Sequence, residues 1–194
     1  AVMKRDGRTI VFMRAPGYVS DTGNGTAHME RMTGMRFRRL DRAPTMTRVI
    51  EPEKNGGVTG IGYAGGEMAT AFAVEDPDAV PLGVYEGTDA VSFAHKAMDG
   101  WTSVFIGTPC LPAALLRCLG QRCGCHAYLD SAQDNLRTDG TLFMFHAARG
   151  SKGERTIRLP GVRRVLDVET DTVLDPGCET FSFSCGEMDT RLFV

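Results

Sequence analysis

The chain has 194 residues, 42% of them hydrophobic and 24% charged, with a formal net charge of −2 and an isoelectric point near 6.1. Acids balance the Lys and Arg residues, so the basic footprint that nucleic acid or an anionic membrane requires is missing, and no apolar run approaches the roughly 20 residues that cross a bilayer. The opening Ala1-Val2-Met3-Lys4-Arg5 lacks the apolar stretch of a secretion signal, and the expectation is a soluble chain that partners neither nucleic acid nor membrane.

There are six cysteines, Cys110, Cys118, Cys123, Cys125, Cys178 and Cys185. A chain of this length needs no disulfide staples, and these thiols sit among Leu, Phe and Ala, where free cysteine behaves as a small hydrophobe; a reducing, cytoplasmic setting is expected.

In chain order, Ala1 to Arg5 reads as the last turn of a helix stopped by Gly7, so the chain is expected to begin inside an element. Thr9 to Met13 is an apolar run ended by Ala15-Pro16-Gly17, the pattern of a buried strand in a parallel sheet. Thr26 to Thr33 predicts a short helix with Met29, Met32 and His28 on one side, closed by Gly34, before an exposed strand from Met35 to Arg38. Glu51 to Gly66, rich in Gly, Asn and charge, predicts a surface loop or edge hairpins, and Thr70 to Val74 a further extended segment. Leu82 to Tyr85 and Ala90 to Ala94 read as paired strands joined through Gly87, Thr88 and Asp89. Ser103 to Ile106 predicts a strand feeding a helix near Leu111-Pro112, with Leu111, Leu115, Leu119 and Cys123 at every fourth position. A strand with a covering helix means an α/β layer.

After Gly124 the pattern becomes short strand-like runs: Thr141 to His146, Arg155 to Leu159, Arg163 to Val168, Thr180 to Ser184 and Thr190 to Val194. Alternation in Phe181-Ser182-Phe183-Ser184 suits an antiparallel sheet with one wet face. The expected organisation is an α/β domain over residues 1–126 and a small all-β domain over 127–194.

Four groups of residues carry candidate chemistry. Gly60-Ile61-Gly62-Tyr63-Ala64-Gly65 spells the dinucleotide-binding pattern, but no strand runs into it and no crossover helix fits before Pro77. Cys110 lies at a strand-to-helix junction, where a helix start activates thiols; Pro109 and Leu111-Pro112 deny it the small neighbours of a nucleophile elbow, and no His-x-Glu pair follows. Cys118, Cys123, Cys125 and His126 offer zinc-ligand chemistry without a C-x-x-C pair. Trp101, Tyr18, Tyr63, Tyr85 and Tyr128 offer rings for sugars, and Asp130, Asp134, Asp167 and Asp171 offer carboxylates, none in a distinctive setting. Packing and solvated surface account for all four groups, so no catalytic, cofactor-binding or metal residue is assigned.

The order of segments resembles the region after the catalytic barrel in β-galactosidase-like glycoside hydrolases of family 42 and their uncharacterised relatives. Asp6-Gly7-Arg8-Thr9-Ile10-Val11-Phe12 with Ala15-Pro16-Gly17-Tyr18, Met32-Thr33-Gly34-Met35, and Leu82-Gly83-Val84-Tyr85 resemble successive segments of that family's amidotransferase-like middle domain. Gly100-Trp101-Thr102-Ser103-Val104-Phe105 with Leu111-Pro112-Ala113-Ala114-Leu115-Leu116 is similar to the strand and helix that close it. Gly124-Cys125-His126-Ala127-Tyr128, Phe145-His146-Ala147 and Thr156-Ile157-Arg158-Leu159-Pro160 resemble the C-terminal β domain.

The resemblance implies a partial flavodoxin-like, class I amidotransferase-like domain followed by a small antiparallel β-sandwich. It also implies that the catalytic Glu pair belongs to a preceding (β/α)8 barrel that nothing here matches. The chain is then a fragment lacking the first strand of the middle domain. Its role is assembly, with the missing barrel or neighbouring subunits as partners, and it takes no cofactor. A stand-alone carbohydrate-binding module and a cysteine-dependent amidotransferase-like enzyme are the alternatives.

Overall fold

Two residues, Asp99 and Gly100, separate the strand Val91–Met98 from the strand Trp101–Ile106. A link that short can only turn the chain back on itself, because a parallel neighbour needs a crossover of about a dozen residues. Gly100, at φ 74°, supplies the left-handed residue of the turn. The computed structural model, which describes residues 3–131 and 133–194, divides into two compact units, Ala1–Cys123 and Gly124–Val194.

The first unit runs β1 (Arg8–Met13), β2 (Val19–Ser20), β3 (Gly23–Asn24), α1 (Thr26–Thr33), β4 (Phe37–Val49), β5 (Gly60–Val74), β6 (Val80–Tyr85), β7 (Val91–Met98), β8 (Trp101–Ile106) and α2 (Ala113–Arg122). Six strands form one sheet in the order β1-β8-β7-β6-β4-β5, while β2 and β3 pair by themselves. β1 and β8 are parallel, with Val11 opposite Val104, and the remaining neighbours in the sheet are antiparallel.

The first unit is therefore a mixed, mostly β sheet with one parallel pair, richer in strand than the expected α/β layer. A strand buried on both faces is the same apolar run whichever way its neighbour points. The direction was encoded instead in the Asp99-Gly100 turn.

Alternation along the strands sends side chains to two cores. Val11, Val104, Ile106 and Phe93 meet Leu115 and Leu119 of α2. Phe12, Phe105 and Ala94 meet Met29 of α1, together with Phe37 and Phe72. Phe72 on β5 shares one core with Phe105 on β8 although three strands separate them in the sheet, so the sheet curls around α1.

Helix α1 ends as expected, with Gly34 at φ 76° donating its amide to the Glu30 carbonyl at 2.7 Å. Met29 is fully buried, whereas Met32 is 43% exposed and stands off the core face. The helical ending expected at Ala1 to Arg5 is not present over Met3 to Arg5, and Ala1 and Val2 lie outside the described residues.

The second unit contains β9 (Asn135–Thr138), β10 (Phe143–His146), β11 (Gly153–Asp167), β12 (Thr172–Cys185) and β13 (Thr190–Phe193), an antiparallel sheet in the order β12-β11-β13-β10-β9. Two of the expected short runs, Arg155 to Leu159 and Arg163 to Val168, are one long strand. Between Arg158, opposite Thr180, and Arg163, opposite Cys178, four residues of β11 face a single residue of β12, and the ladder bends there at Pro160-Gly161. The bend folds the sheet onto itself. Phe181 and Phe183 of β12 then meet Phe193 of β13 at 5.0 and 4.8 Å between ring centroids, and Phe183 meets Phe145 of β10 at 5.0 Å.

Phe105 is fully buried and its ring packs edge-on against Phe37 at 4.7 Å. Phe105→Ala is expected to destabilise the first unit by about 3–5 kcal/mol through lost burial and the cavity left behind, read as a shifted urea midpoint with unchanged slope.

Candidate functional site

The glycine pattern at residues 60–65 lies within the edge strand β5, as the edge-hairpin alternative had it, and pairs with β4: Gly60 opposite Arg48, Ile61 opposite Thr47 and Gly62 opposite Met46. The register slips between Pro44 and Met46, which forces the two backbones together. A Cβ on Gly62 would stand 2.0 Å from the Thr45 carbonyl oxygen, and its φ is 112°. Thr45 Oγ1 donates to the Tyr63 carbonyl at 2.7 Å and locks the irregularity. The strand continues to Val74 with no helix start to face a phosphate. Gly62 thus allows strand to approach strand. Gly62→Ala is therefore expected to cost several-fold more stability than Gly87→Ala, whose Cβ meets open space at a φ of 71°, inside the left-handed helical region, as thermal melts of the two variants would record.

Cys110 sits half-buried in the connection between β8 and α2, packed against the α2-side core. The histidine hydrogen bonds go elsewhere: His28 to Ser20 and Arg31, His126 to the Arg158 carbonyl, His146 to Thr190. Burial, followed by the charge of Arg122, pushes the His95 pKa down. Cys118 donates its thiol to the Lys54 carbonyl at 3.6 Å, and Cys123 and Cys125 are exposed. Among the described residues no three His, Cys, Asp or Glu side chains converge as metal ligands would. Two residues before Cys110, the buried Thr108 hydroxyl lacks a hydrogen-bond partner.

The rings are largely engaged. Trp101 is 7% exposed, edge-on to Phe12 and under the Lys4 ammonium at 5.1 Å. Tyr18 packs on Phe72 and Tyr128 on His126 and Phe143. Tyr85 is fully buried, donates to the Phe72 carbonyl at 3.1 Å and is pushed up by burial to about 12. Tyr63 alone of the five offers an open face, at 58% exposure.

The carboxylates are spent on structure. Asp130 pairs with Arg158 at 2.6 Å on the surface, Asp167 accepts the amides of Glu169 and Thr170, and Asp171 holds a turn at φ 52°. The side chain of Asp134 is fully buried and binds Arg155 Nε at 2.7 Å and the Ala148 amide at 3.0 Å, while Ser151 caps the same guanidinium. A second such pair joins Asp76 to Lys96 at 2.9 Å, with Asp76 also accepting the Arg36 amide. Asp76 appears in sequence as a plain Asp-Pro-Asp turn, and no local signal marks a partner 20 residues away.

Burial alone would raise the Asp134 pKa, but the Ala148 amide, Arg155 and the Ser151 and Ser131 hydroxyls outweigh it and hold the carboxyl well below the usual range. The ionised form is thus favoured in the folded state. Its contribution is complete above the unfolded-state pKa of about 4 and drains away as pH falls from there towards the folded value. Asp134→Ala strands Arg155 and is expected to cost about 3 kcal/mol near neutrality. The gap between the wild-type and variant stability curves should be constant above about pH 5 and narrow progressively as pH falls below about 4, measured by urea titration across pH.

No protein-family model matches the sequence, and no curated protein matches it either. Solved structures do. A beta-galactosidase from Rahnella sp. R3 superposes over 98% of this chain with a TM-score of 0.59 at 12% identity. One from Bacillus circulans sp. alkalophilus superposes over 96% with a TM-score of 0.64 at 14% identity. A mutant of Gan42B, a GH42 beta-galactosidase from G. stearothermophilus, superposes over 98% with a TM-score of 0.56 at 14% identity. The chain shares its fold with part of these enzymes. It spans 28–29% of their length.

Proposed function

We propose that this chain is a non-catalytic support region of a β-galactosidase-like glycoside hydrolase, whose bond-breaking residues lie in a separate barrel. The observation that carries the reading is the coverage: the fold match takes in nearly all of this chain and less than a third of the matched enzymes. Dispersal of the candidate groups supports it, since the carboxylates that a glycosidase would set as a facing pair here serve turns and ion pairs.

The same proposal takes the first unit as a partial flavodoxin-like, amidotransferase-like layer, supported by the parallel β1–β8 pair, the α2 helix that follows β8, and helices on both faces. It takes the second as a sandwich made by the folded sheet, the partners as the barrel or neighbouring subunits, and the setting as cytoplasmic.

Purified chain incubated with a chromogenic β-galactoside, and separately with glutamine, should release nothing above buffer. Turnover that is blocked by iodoacetamide and lost in Cys110→Ala would replace this reading with a thiol enzyme.

A further inference from the structure

β1 is the first strand of its sheet and has a neighbour, β8, on one side. The Arg14 amide donates to the Ile106 carbonyl at 2.8 Å, which sets the parity of the parallel ladder: the peptide groups of Phe12 and Ile10 face β8, and those of Met13, Val11 and Thr9 face away. Among the described residues no strand pairs with that outward side.

The strand is nevertheless composed like an interior one. Thr9 to Met13 contains no charge and no proline, and it feeds Val11 into the α2 core and Phe12 into the α1 core; strands buried on both faces belong inside sheets. All five residues stay half-exposed, where β8 beside them is nearly all buried. Proteins ordinarily blunt free edges, and the other edges here are blunted. β5 carries a register slip, with Gly62 and Thr70 at positive φ. β9 has four residues, and β12 is interrupted by Pro176-Gly177. β1 has none of these devices.

Beside the open edge, on the α1 face, lies a groove of about 820 Å³ with Ile10, Phe12, Val19 and Met32 as its apolar lining and Lys4 and Arg31 as its cationic wall. No acid lines it. Arg31 leans on His28 Nδ1, and since a guanidinium can only donate, that ring nitrogen is the acceptor. His28 Nε2 then faces Ser20 Oγ at 3.0 Å, and Arg31 has no ion pair with a carboxylate among the described residues.

We propose that the outward edge of β1 is a docking seat for an extended strand of another polypeptide segment, apolar at alternate positions and bearing a carboxylate towards Arg31 and Lys4. Main-chain hydrogen bonds to Thr9, Val11 and Met13 supply the pairing, and the groove supplies the side-chain selection. The inference rests on reading the chain as part of a larger assembly, and it names the face through which that assembly is made.

The test uses the full chain and two short synthetic peptides that alternate valine and threonine, one with a central glutamate and one with a central lysine. The glutamate peptide should slow amide exchange at Thr9, Val11 and Met13 by about tenfold and bind about tenfold more tightly than the lysine peptide. Arg31→Glu, a surface change, should reverse that preference, and Thr9→Pro should remove the protection. No protection at saturating peptide, protection at β5 instead, or an unaltered preference in Arg31→Glu would overturn the proposal. Such a failure leaves the catalytic assay untouched, because β1 takes no part in turnover, so the docking seat and the support role fail separately.

Discussion

The first unit depends on β8 being buried on both faces. Val104 and Ile106 point into the core beneath α2, and Phe105 points into the core that holds α1. One strand therefore ties two hydrophobic cores into a single structure, and neither helix is long enough to stand without it: α1 has eight residues and α2 ten, below the length at which helices persist in water. Their stability comes from what β8 and its neighbours offer them. β1 pairs with β8 and adds Val11 and Phe12 to the same two cores.

What the sequence made legible follows from how locally each feature is encoded. α1 was visible because its period and its Gly34 stop lie within nine residues, and β6, β7 and β8 because apolar runs between turn residues read the same in any context. The direction of the strands was harder, since it depends on connection lengths; Asp99-Gly100 carried that information in two residues. The merger of two short runs into β11 was hidden by Pro160-Gly161, which reads as a chain break and acts as a bend within one strand. Of the glycines at 60–65, whose dinucleotide spacing lacked its strand-and-helix context in sequence, Gly62 is required because the Thr45 carbonyl passes it at close range.

Among the site candidates, sequence ranked the residues by type, and the structure sorts them by partner. Trp101 had the composition of a sugar platform, yet its ring is enclosed by Phe12 and Lys4. Asp134 had no distinguishing neighbour in sequence, yet it is the most strongly held carboxylate of the second unit, because Arg155 lies 21 residues on and the β9-to-β11 connections bring the two together. Long-range pairing of this kind leaves no periodic trace.

The aspartates of the second unit show why a glycosidase-like pair is hard to assemble there. Asp139 takes the amides of Thr141 and Leu142, Asp175 that of Gly177, and Asp189 that of Gly186, each within three residues of itself. A carboxylate committed to its own turn points along the local backbone, and a sheet of short connections needs one at nearly every reversal. Two such groups can face each other across a cleft only if both abandon the turns that hold the strands in register. Turn formation thus takes up these aspartates, and bond-breaking chemistry requires a scaffold whose loops are positioned by other means.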